Sequence, residues 1–369
     1  MGDNNSSIHN SAVLEAATPT PTLDGSDVEA TPPGTAASSI MAERDKLAVR
    51  LPMLHITNAL IDMLADLTTL LSDMASISSS LFEHVEENGR TYHKYKEGKY
   101  YLPNDEQEQN RLDMQHQLCK ISLHGRLHLA PLKEANLKHA LDFGTGTGIW
   151  AIEFAEQYPN CKVLGSDLSP IQPEFVPENC TFEVDDIDDE WIYPQPFSYI
   201  HSRLMVFCLR SPISTIRKAY HSLSPGGWLE MQDSCAPLMS IDDSISGTAL
   251  EKCYDKVTEA ATKIGIDCTA AKHYRSMMEE VGFVDVQEVR VEWPIGGWAK
   301  SSYHKLIGKW FRADLETGVE AVALGLFTRV LGMKREEVEA FLGEVKRDMD
   351  SKDVHAYQTF YVVFGRKPE

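Results

Sequence analysis

The sequence of 369 residues lacks several features that define other classes of protein. No apolar run approaches the roughly 20 residues that span a bilayer, so we expect no membrane segment. The seven cysteines contain no C-x-x-C pair, which predicts reduced thiols in an intracellular protein and no metal site. No lysine or arginine precedes Arg44, and a secretory or mitochondrial leader has a basic start, so we expect neither kind of leader.

Positive charge is also scarce in this chain. The 35 lysines and arginines stand against 55 aspartates and glutamates, which gives a formal net charge of −20. A chain this acidic is a poor non-specific ligand for nucleic acid or for an anionic membrane. We therefore expect neither as a partner.

The N-terminal third has a different composition from the rest. Residues 1–43 contain no Phe, Tyr or Trp, and such a segment cannot bury enough apolar surface to offset its ordering entropy, so it is predicted to be disordered. Residues 44–137 are predicted to form a helical N-terminal extension. Within it, an apolar stripe at helical spacing over residues 54–77 would dock on the protein itself or on a protein partner.

From residue 138 to residue 369, strand and helix patterns alternate regularly. Seven β-prone segments predict an α/β fold with a doubly wound, mostly parallel sheet. The last segment, "HAYQTFYVVFGRKP", is predicted to be an antiparallel strand near one edge. Helical patterns also cover residues 303–317 and 334–349.

The segment "HALDFGTGTGIWAIEFA" at residues 139–155 reads as a strand, a glycine turn and a helix, which is how an α/β protein seats a nucleotide. Dinucleotide enzymes use G-x-G-x-x-G, whereas the spacing here is G-x-G-x-G. An acid before the first glycine would repel a pyrophosphate but suits a sulfonium and an ammonium group. The pattern favours S-adenosylmethionine over NAD, and the candidate cofactor residues are Asp142, Gly144, Thr145, Gly146 and Gly148.

Two further acids stand at strand ends. Asp167 ends the second predicted strand, 19 residues after Gly148. A carboxylate at this position can accept hydrogen bonds from both ribose hydroxyls, and Leu168, which follows it, is also a candidate cofactor residue. Asp186 ends the third strand, and with the backbone N–H of Ile187 it could read adenine. Each signal alone also fits a turn or a helix cap, but together around one glycine loop they predict a cofactor site.

Four stretches resemble the LaeA-like methyltransferases of filamentous fungi, over about residues 76–369. They are "LDFGTGTGIWAIEFA", "GSDLSPIQP", "ENGRTYHKYKEGKYYLPNDEQEQNRLDMQH" and the closing "HAYQTFYVVFGRKP". The resemblance implies the class I methyltransferase (Rossmann-like) fold, S-adenosyl-L-methionine as cofactor, and the cofactor residues named above. One departure is Thr145, where some members of the family have cysteine.

The resemblance leaves two functions open. Some members methylate small fungal metabolites, and others are nuclear regulators that act with velvet-type protein partners. The region "LGLFTRVLGMKREEVEAFL" resembles the pathway enzymes more closely, and no strong basic import signal is present. The leading hypothesis is a cytoplasmic enzyme that transfers a methyl group to N or O of a small-molecule acceptor in secondary metabolite biosynthesis.

Methyl transfer needs alignment, and it needs a base only if the acceptor proton must leave early. The candidates are His201 near the end of the fourth strand, and Tyr92 with His93, which could close over the cofactor as an active-site lid. Each also fits a structural role, as a hydrogen-bonded histidine or as packing residues. No N/D-P-P-Y signature follows the fourth strand, which argues against methylation of DNA or glutamine.

Overall fold

The computed structural model describes residues 84–87, 89–93 and 101–369. The predicted disordered segment at 1–43 and the apolar stripe at 54–77 lie outside these residues.

Nine strands are found in the described part of the chain. In chain order they are β1 (His84–Glu87), β2 (Arg90–His93), β3 (His139–Phe143), β4 (Lys162–Asp167), β5 (Cys180–Val184), β6 (Phe197–Arg203), β7 (Leu223–Ser240), β8 (Val284–Pro294) and β9 (Ala356–Arg366).

Helices separate most of these strands. They are α1 (Glu106–Ser122), α2 (Ile149–Gln157), α3 (Pro212–Ser222), α4 (Ala249–Lys263), α5 (Tyr274–Val281), α6 (Ser302–Arg329) and α7 (Arg335–Asp350), with short 3₁₀ turns at Glu134–Asn136 and Ala270–His273.

Seven strands form one sheet in the order β5-β4-β3-β6-β7-β9-β8. Its pairs are parallel except those of β9, which runs antiparallel to both β7 and β8. The prediction of a doubly wound, Rossmann-like sheet with one antiparallel strand near the edge is confirmed. The strand order reverses between β3 and β6, so the glycine loop after β3 lies at the point where such sheets bind ligands.

The central strands are buried because helices cover both faces of the sheet. Ala140, Leu141 and Phe143 of β3 are at most 1% exposed. Strands buried on both faces read as continuous apolar runs, and β9 has the same character, since Val362 and Val363 are fully buried. The buried sheet therefore positions the loops at its carboxyl edge, where the candidate functional residues lie.

Helix α1 begins directly after the segment "PND". Asp105 is the N-cap, and its side chain accepts a hydrogen bond from the backbone N–H of Glu108 at 3.0 Å. The Arg90 guanidinium of β2 also donates to Asp105 at 2.8 Å, which joins the helix to the β1–β2 hairpin. The hairpin is an element of the extension that the sequence analysis did not predict.

Helix α6 is longer than its predicted range of 303–317. Its second half, "VEAVALGLF", is buried on more than one side, so the alternation of apolar and polar residues that marks a surface helix fades there. Gly325 lies in this half, and a Cβ atom there would approach the carbonyl oxygen of Tyr101 to 2.5 Å. The chain before α1 thus packs directly on α6.

Candidate functional site

The glycine loop after β3 has a shape that only glycine permits. Gly144, Gly146 and Gly148 have φ values of +67°, +58° and +79°. A Cβ atom on Gly148 would lie 2.4 Å from the Phe182 ring, and one on Gly144 would lie 2.1 Å from the sulfur of Met205. The loop is therefore pressed between β5 and the segment after β6, with its backbone exposed to the space above the sheet.

Asp142 and Thr145 stabilise this loop on the side that faces the protein core. The Thr145 hydroxyl donates to Asp142 Oδ2 at 2.6 Å, and His201 Nδ1 lies 2.8 Å from Asp142 Oδ1. Asp142 and His201 are direct partners across the β3–β6 pair, so their side chains lie next to each other on the same face of the sheet. The sequence predicts that the Asp142 side chain faces the ligand. In the structure it does not face the cavity, because this pairing turns it toward the core.

His201 is fully buried and stacks on Trp150 with ring centroids 3.7 Å apart. Among the described residues, neither His201 nor Asp142 belongs to the lining of the cavity described below. The structure thus places the predicted catalytic histidine behind the glycine loop, where it orients Asp142.

Asp167 lies at the carboxyl end of β4 and lines the cavity. Its Oδ2 accepts from the backbone N–H of Gly146 at 2.8 Å, and its Oδ1 accepts from that of Ser169 at 2.9 Å. Each carboxylate oxygen has a second acceptor position, which can receive a ligand hydroxyl. Burial is the main cause that raises the pKa of Asp167, to about 6.

The "PIQP" segment ties the glycine loop to the segment after β4. The side-chain amide of Gln172 donates to the carbonyl oxygens of Gly146 at 2.7 Å and Ser169 at 3.0 Å. It locks together the two backbone segments on either side of Asp167.

The residues after β5 form the far end of the cavity. Asp186 and Ile187 line it there, and Leu168, which directly follows β4, lines it next to Asp167. Asp186 is 1% exposed, and its Oδ1 accepts from the backbone N–H of Asp188 at 2.9 Å. The Ile187 carbonyl accepts from the Lys218 ammonium at 2.9 Å, which fixes the turn that carries both residues.

Helix α1 covers the glycine loop. Asp113 accepts a hydrogen bond from the Thr147 hydroxyl at 2.7 Å, and the Leu112 side chain lies over Gly146. Arg111, Leu112 and Gln115 line the cavity from this helix. The extension therefore forms one wall of the site, through α1.

One cavity of about 220 Å³ has two parts. The first lies at the glycine loop, and the second, the aromatic chamber, lies beneath α1 and α6. Trp293 and Phe311, whose ring centroids are 5.3 Å apart, form aromatic walls of this chamber. The Tyr254 hydroxyl and Gln358 add polar atoms and are 3.3 Å apart. An apolar chamber with a few polar groups is typical of a small-molecule site.

A buried carboxylate, Asp314, also lines this chamber. Arg111 donates to its Oδ1 at 2.8 Å and binds both oxygens of Glu108 at 2.7 and 2.9 Å. The second oxygen of Asp314 has a longer contact, 3.3 Å, with the amide of Gln115. Burial is the main cause that raises the pKa of Asp314, so this carboxyl group is easier to protonate than an exposed one.

The sequence analysis missed Asp314, although the sequence carries a signal for it. Ile307, Phe311 and Asp314 recur at helical spacing and all three are buried, so an acid interrupts an apolar stripe. A charged residue at such a position is a candidate functional group.

Tyr92 and His93 lie in strand β2, and both are 4% exposed. The Arg329 guanidinium at the end of α6 lies 4.4 Å from the centre of the Tyr92 ring and is paired with Glu87. Neither Tyr92 nor His93 is among the described residues that line the cavity. The structure thus places these candidate lid residues in a hairpin that packs on α6.

Metal binding and membrane crossing can be assessed for residues 84–87, 89–93 and 101–369. No group of three or more His, Cys, Asp or Glu side chains there is arranged to hold a metal ion. Within the same residues, none of the helices has both the length and the apolar character that crossing a membrane would require.

Comparison with known proteins identifies relatives along most of the chain. A sequence profile of the family described as "Methyltransferase domain" matches residues 111–288. Methyltransferase pytC of Aspergillus terreus is 38% identical over 299 residues, which cover 80% of this chain and 92% of that protein. The secondary metabolism regulator laeA of Emericella nidulans is 31% identical over 301 residues, covering 81% and 80% of the two chains.

Among solved structures, a Haemonchus contortus phosphoethanolamine N-methyltransferase 2 in complex with S-adenosyl-L-methionine is similar to this chain. The alignment has a TM-score of 0.42 and 15% sequence identity, and it covers 70% of this chain and 52% of the other.

Proposed function

Since this chain belongs to the fungal methyltransferase family that includes pytC and LaeA, we propose that it transfers a methyl group from S-adenosylmethionine to N or O of a small molecule of secondary metabolism. One observation carries the proposal: a single cavity joins the glycine loop and Asp167 to an aromatic chamber with a buried carboxylate. Donor and acceptor must meet in one space that excludes water, and the cavity provides it.

The residues at the glycine loop fit this cofactor. The free acceptor positions of Asp167 suit the two ribose hydroxyls, and Asp186 with Ile187 suits adenine. Gly144 and Gly146 line the cavity without side chains, so a ligand can approach the backbone of the loop closely. When bound, S-adenosylmethionine supplies the electrophilic methyl group and its own leaving group.

The second chamber would hold the acceptor. Trp293 and Phe311 exclude water and pack against an apolar body, while Gln115 and Tyr254 offer hydrogen bonds that fix its orientation. Asp314 would take the proton from an acceptor hydroxyl or ammonium group through the oxygen that Arg111 does not contact. Arg111 limits the cost of burying that carboxylate, and Glu108 holds Arg111 in place.

Cofactor binding is expected to weaken below about pH 6. Burial raises the pKa of Asp167 to about 6, and the protonated carboxyl group is a poorer acceptor for ribose hydroxyls. One linked proton predicts a loss of up to about tenfold in affinity per pH unit below that pKa. Calorimetric titration with S-adenosylhomocysteine from about pH 8 to about pH 5 measures this. Asp167→Asn does not titrate there and should show a flat profile; a flat wild-type profile would contradict the prediction.

A second candidate function is a nuclear regulator that acts through velvet-type protein partners. It is favoured by the name of one relative, the secondary metabolism regulator laeA. The cytoplasmic small-molecule enzyme remains the first proposal because the aromatic chamber is enclosed by α1 and α6, which suits a compact acceptor better than a protein side chain on a folded partner.

The first experiment is a binding test. The purified protein should bind S-adenosylmethionine and S-adenosylhomocysteine, and it should not bind NAD, because the G-x-G-x-G spacing of the loop differs from the G-x-G-x-x-G spacing that seats a pyrophosphate. Calorimetry with all three ligands measures this directly. Binding of NAD, or of none of the three, would overturn the cofactor assignment.

A further inference from the structure

Three arginines line the described cavity, and their surroundings differ. Arg111 is held between Glu108 and Asp314. Arg210 is exposed at the rim. Arg203 is partly buried, and its guanidinium donates to Nδ1 of His116 at 3.0 Å, with no carboxylate of the described residues in ion-pair contact. A guanidinium in such a place lacks a counter-charge.

The partner of Arg203 is a neutral ring. His116 is fully buried, and burial together with the charge of Arg203 lowers its pKa to about 4. Because arginine only donates, Nδ1 of His116 must be the acceptor, and the ring proton sits on Nε2. That nitrogen lies 3.2 Å from the Glu153 carboxylate, which Lys120 also contacts at 2.7 Å. The histidine therefore orients Arg203 without neutralising it.

The sheet order shows which part of the cofactor reaches Arg203. Asp186 follows β5 and Asp167 ends β4, so adenine and ribose would occupy those two positions in turn. The next strands are β3 and β6. Since Phe143 pairs with Ser202, Arg203 comes one position later, opposite Gly144 at the start of the glycine loop. The amino-acid end of the ligand would lie there.

We propose that Arg203 binds the α-carboxylate of the methionine moiety of S-adenosylmethionine, and that His116 is the residue that positions Arg203 for it. The inference rests on the proposed function. A carboxylate supplies the missing counter-charge and can bind a guanidinium through two parallel hydrogen bonds. Glu153 on α2 lies against His116 on α1, and His116 in turn accepts the hydrogen bond from Arg203 that points the guanidinium toward the ligand.

The test compares two ligands that differ only in the amino-acid end. S-adenosylhomocysteine carries it, and 5′-methylthioadenosine keeps the adenine, ribose and thioether without it. By calorimetry, Arg203→Gln should lose about tenfold to a hundredfold in affinity for S-adenosylhomocysteine and keep its affinity for 5′-methylthioadenosine. Arg203→Lys should recover part of the loss, and His116→Phe should weaken S-adenosylhomocysteine alone. Arg217→Gln, an exposed arginine that pairs with Glu280 and does not line the cavity, is the matched control and should bind both ligands as the wild type does.

A second arm needs only the wild-type protein. The methyl ester of S-adenosylhomocysteine has no carboxylate charge, and the wild type should bind it about tenfold to a hundredfold more weakly than the acid. Equal binding of ester and acid would overturn the inference. So would unchanged S-adenosylhomocysteine affinity in Arg203→Gln, or an equal loss for both ligands. If the wild type binds neither S-adenosylhomocysteine nor 5′-methylthioadenosine, the proposed function fails first.

Discussion

Asp314→Asn is expected to lower methyl transfer by about 10²–10⁴-fold, the usual contribution of a general base, and to change affinity for S-adenosylhomocysteine by less than about twofold. Asparagine keeps the size of the side chain but cannot take a proton from the acceptor. Initial rates with labelled S-adenosylmethionine and an extract of the source organism measure the effect. Asp314 contacts Arg111 at the acceptor end, so the cofactor end should be undisturbed.

The matched control for this variant lies on the same helix. Glu316 is exposed and pairs only with Arg312 in the described structure, so Glu316→Gln should keep the wild-type rate. A base role also predicts that the acidic limb of the pH–rate profile disappears in Asp314→Asn, which a purely structural role would not cause. A folded variant with a rate within about threefold of the wild type would remove Asp314 from the chemistry.

Asp167→Ala is expected to weaken S-adenosylmethionine binding by about tenfold to a hundredfold. The change removes the proposed acceptor of hydrogen bonds from both ribose hydroxyls, and losing them should cost roughly 1–3 kcal/mol. It also frees the backbone N–H groups of Gly146 and Ser169, which the carboxylate now holds. Calorimetry measures the loss, and Glu174→Ala, an exposed acid on the following segment, should be neutral. Unchanged affinity in Asp167→Ala would exclude that carboxylate from the site.

The parts of the fold and site that the sequence predicts are those that local pattern determines. The glycine loop needs left-handed backbone at Gly144, Gly146 and Gly148, and the strand-ending position of Asp167 follows from the apolar run before it. The antiparallel end of the sheet is likewise encoded in the β-prone segment that became β9.

The parts that local pattern misses depend on long-range contacts. Asp314 meets Arg111 across 203 positions of the chain, and no spacing rule connects them. The direction of the Asp142 side chain depends on its partner His201 on β6, 59 positions away. The place of Tyr92 depends on Arg329 at the far end of α6. In each case the partner that determines where the side chain lies is distant in the sequence, so local pattern does not reveal it.

Methylation of a small molecule is the activity proposed for this protein. The most direct measurement incubates the wild type with methyl-labelled S-adenosylmethionine and an extract of the source organism, and then separates small molecules from protein. We expect label in a low-mass compound that the wild type forms, with the labelling rate reduced by about 10²–10⁴-fold in Asp314→Asn. Label found only in protein, or in no product while S-adenosylhomocysteine binds normally, would contradict it.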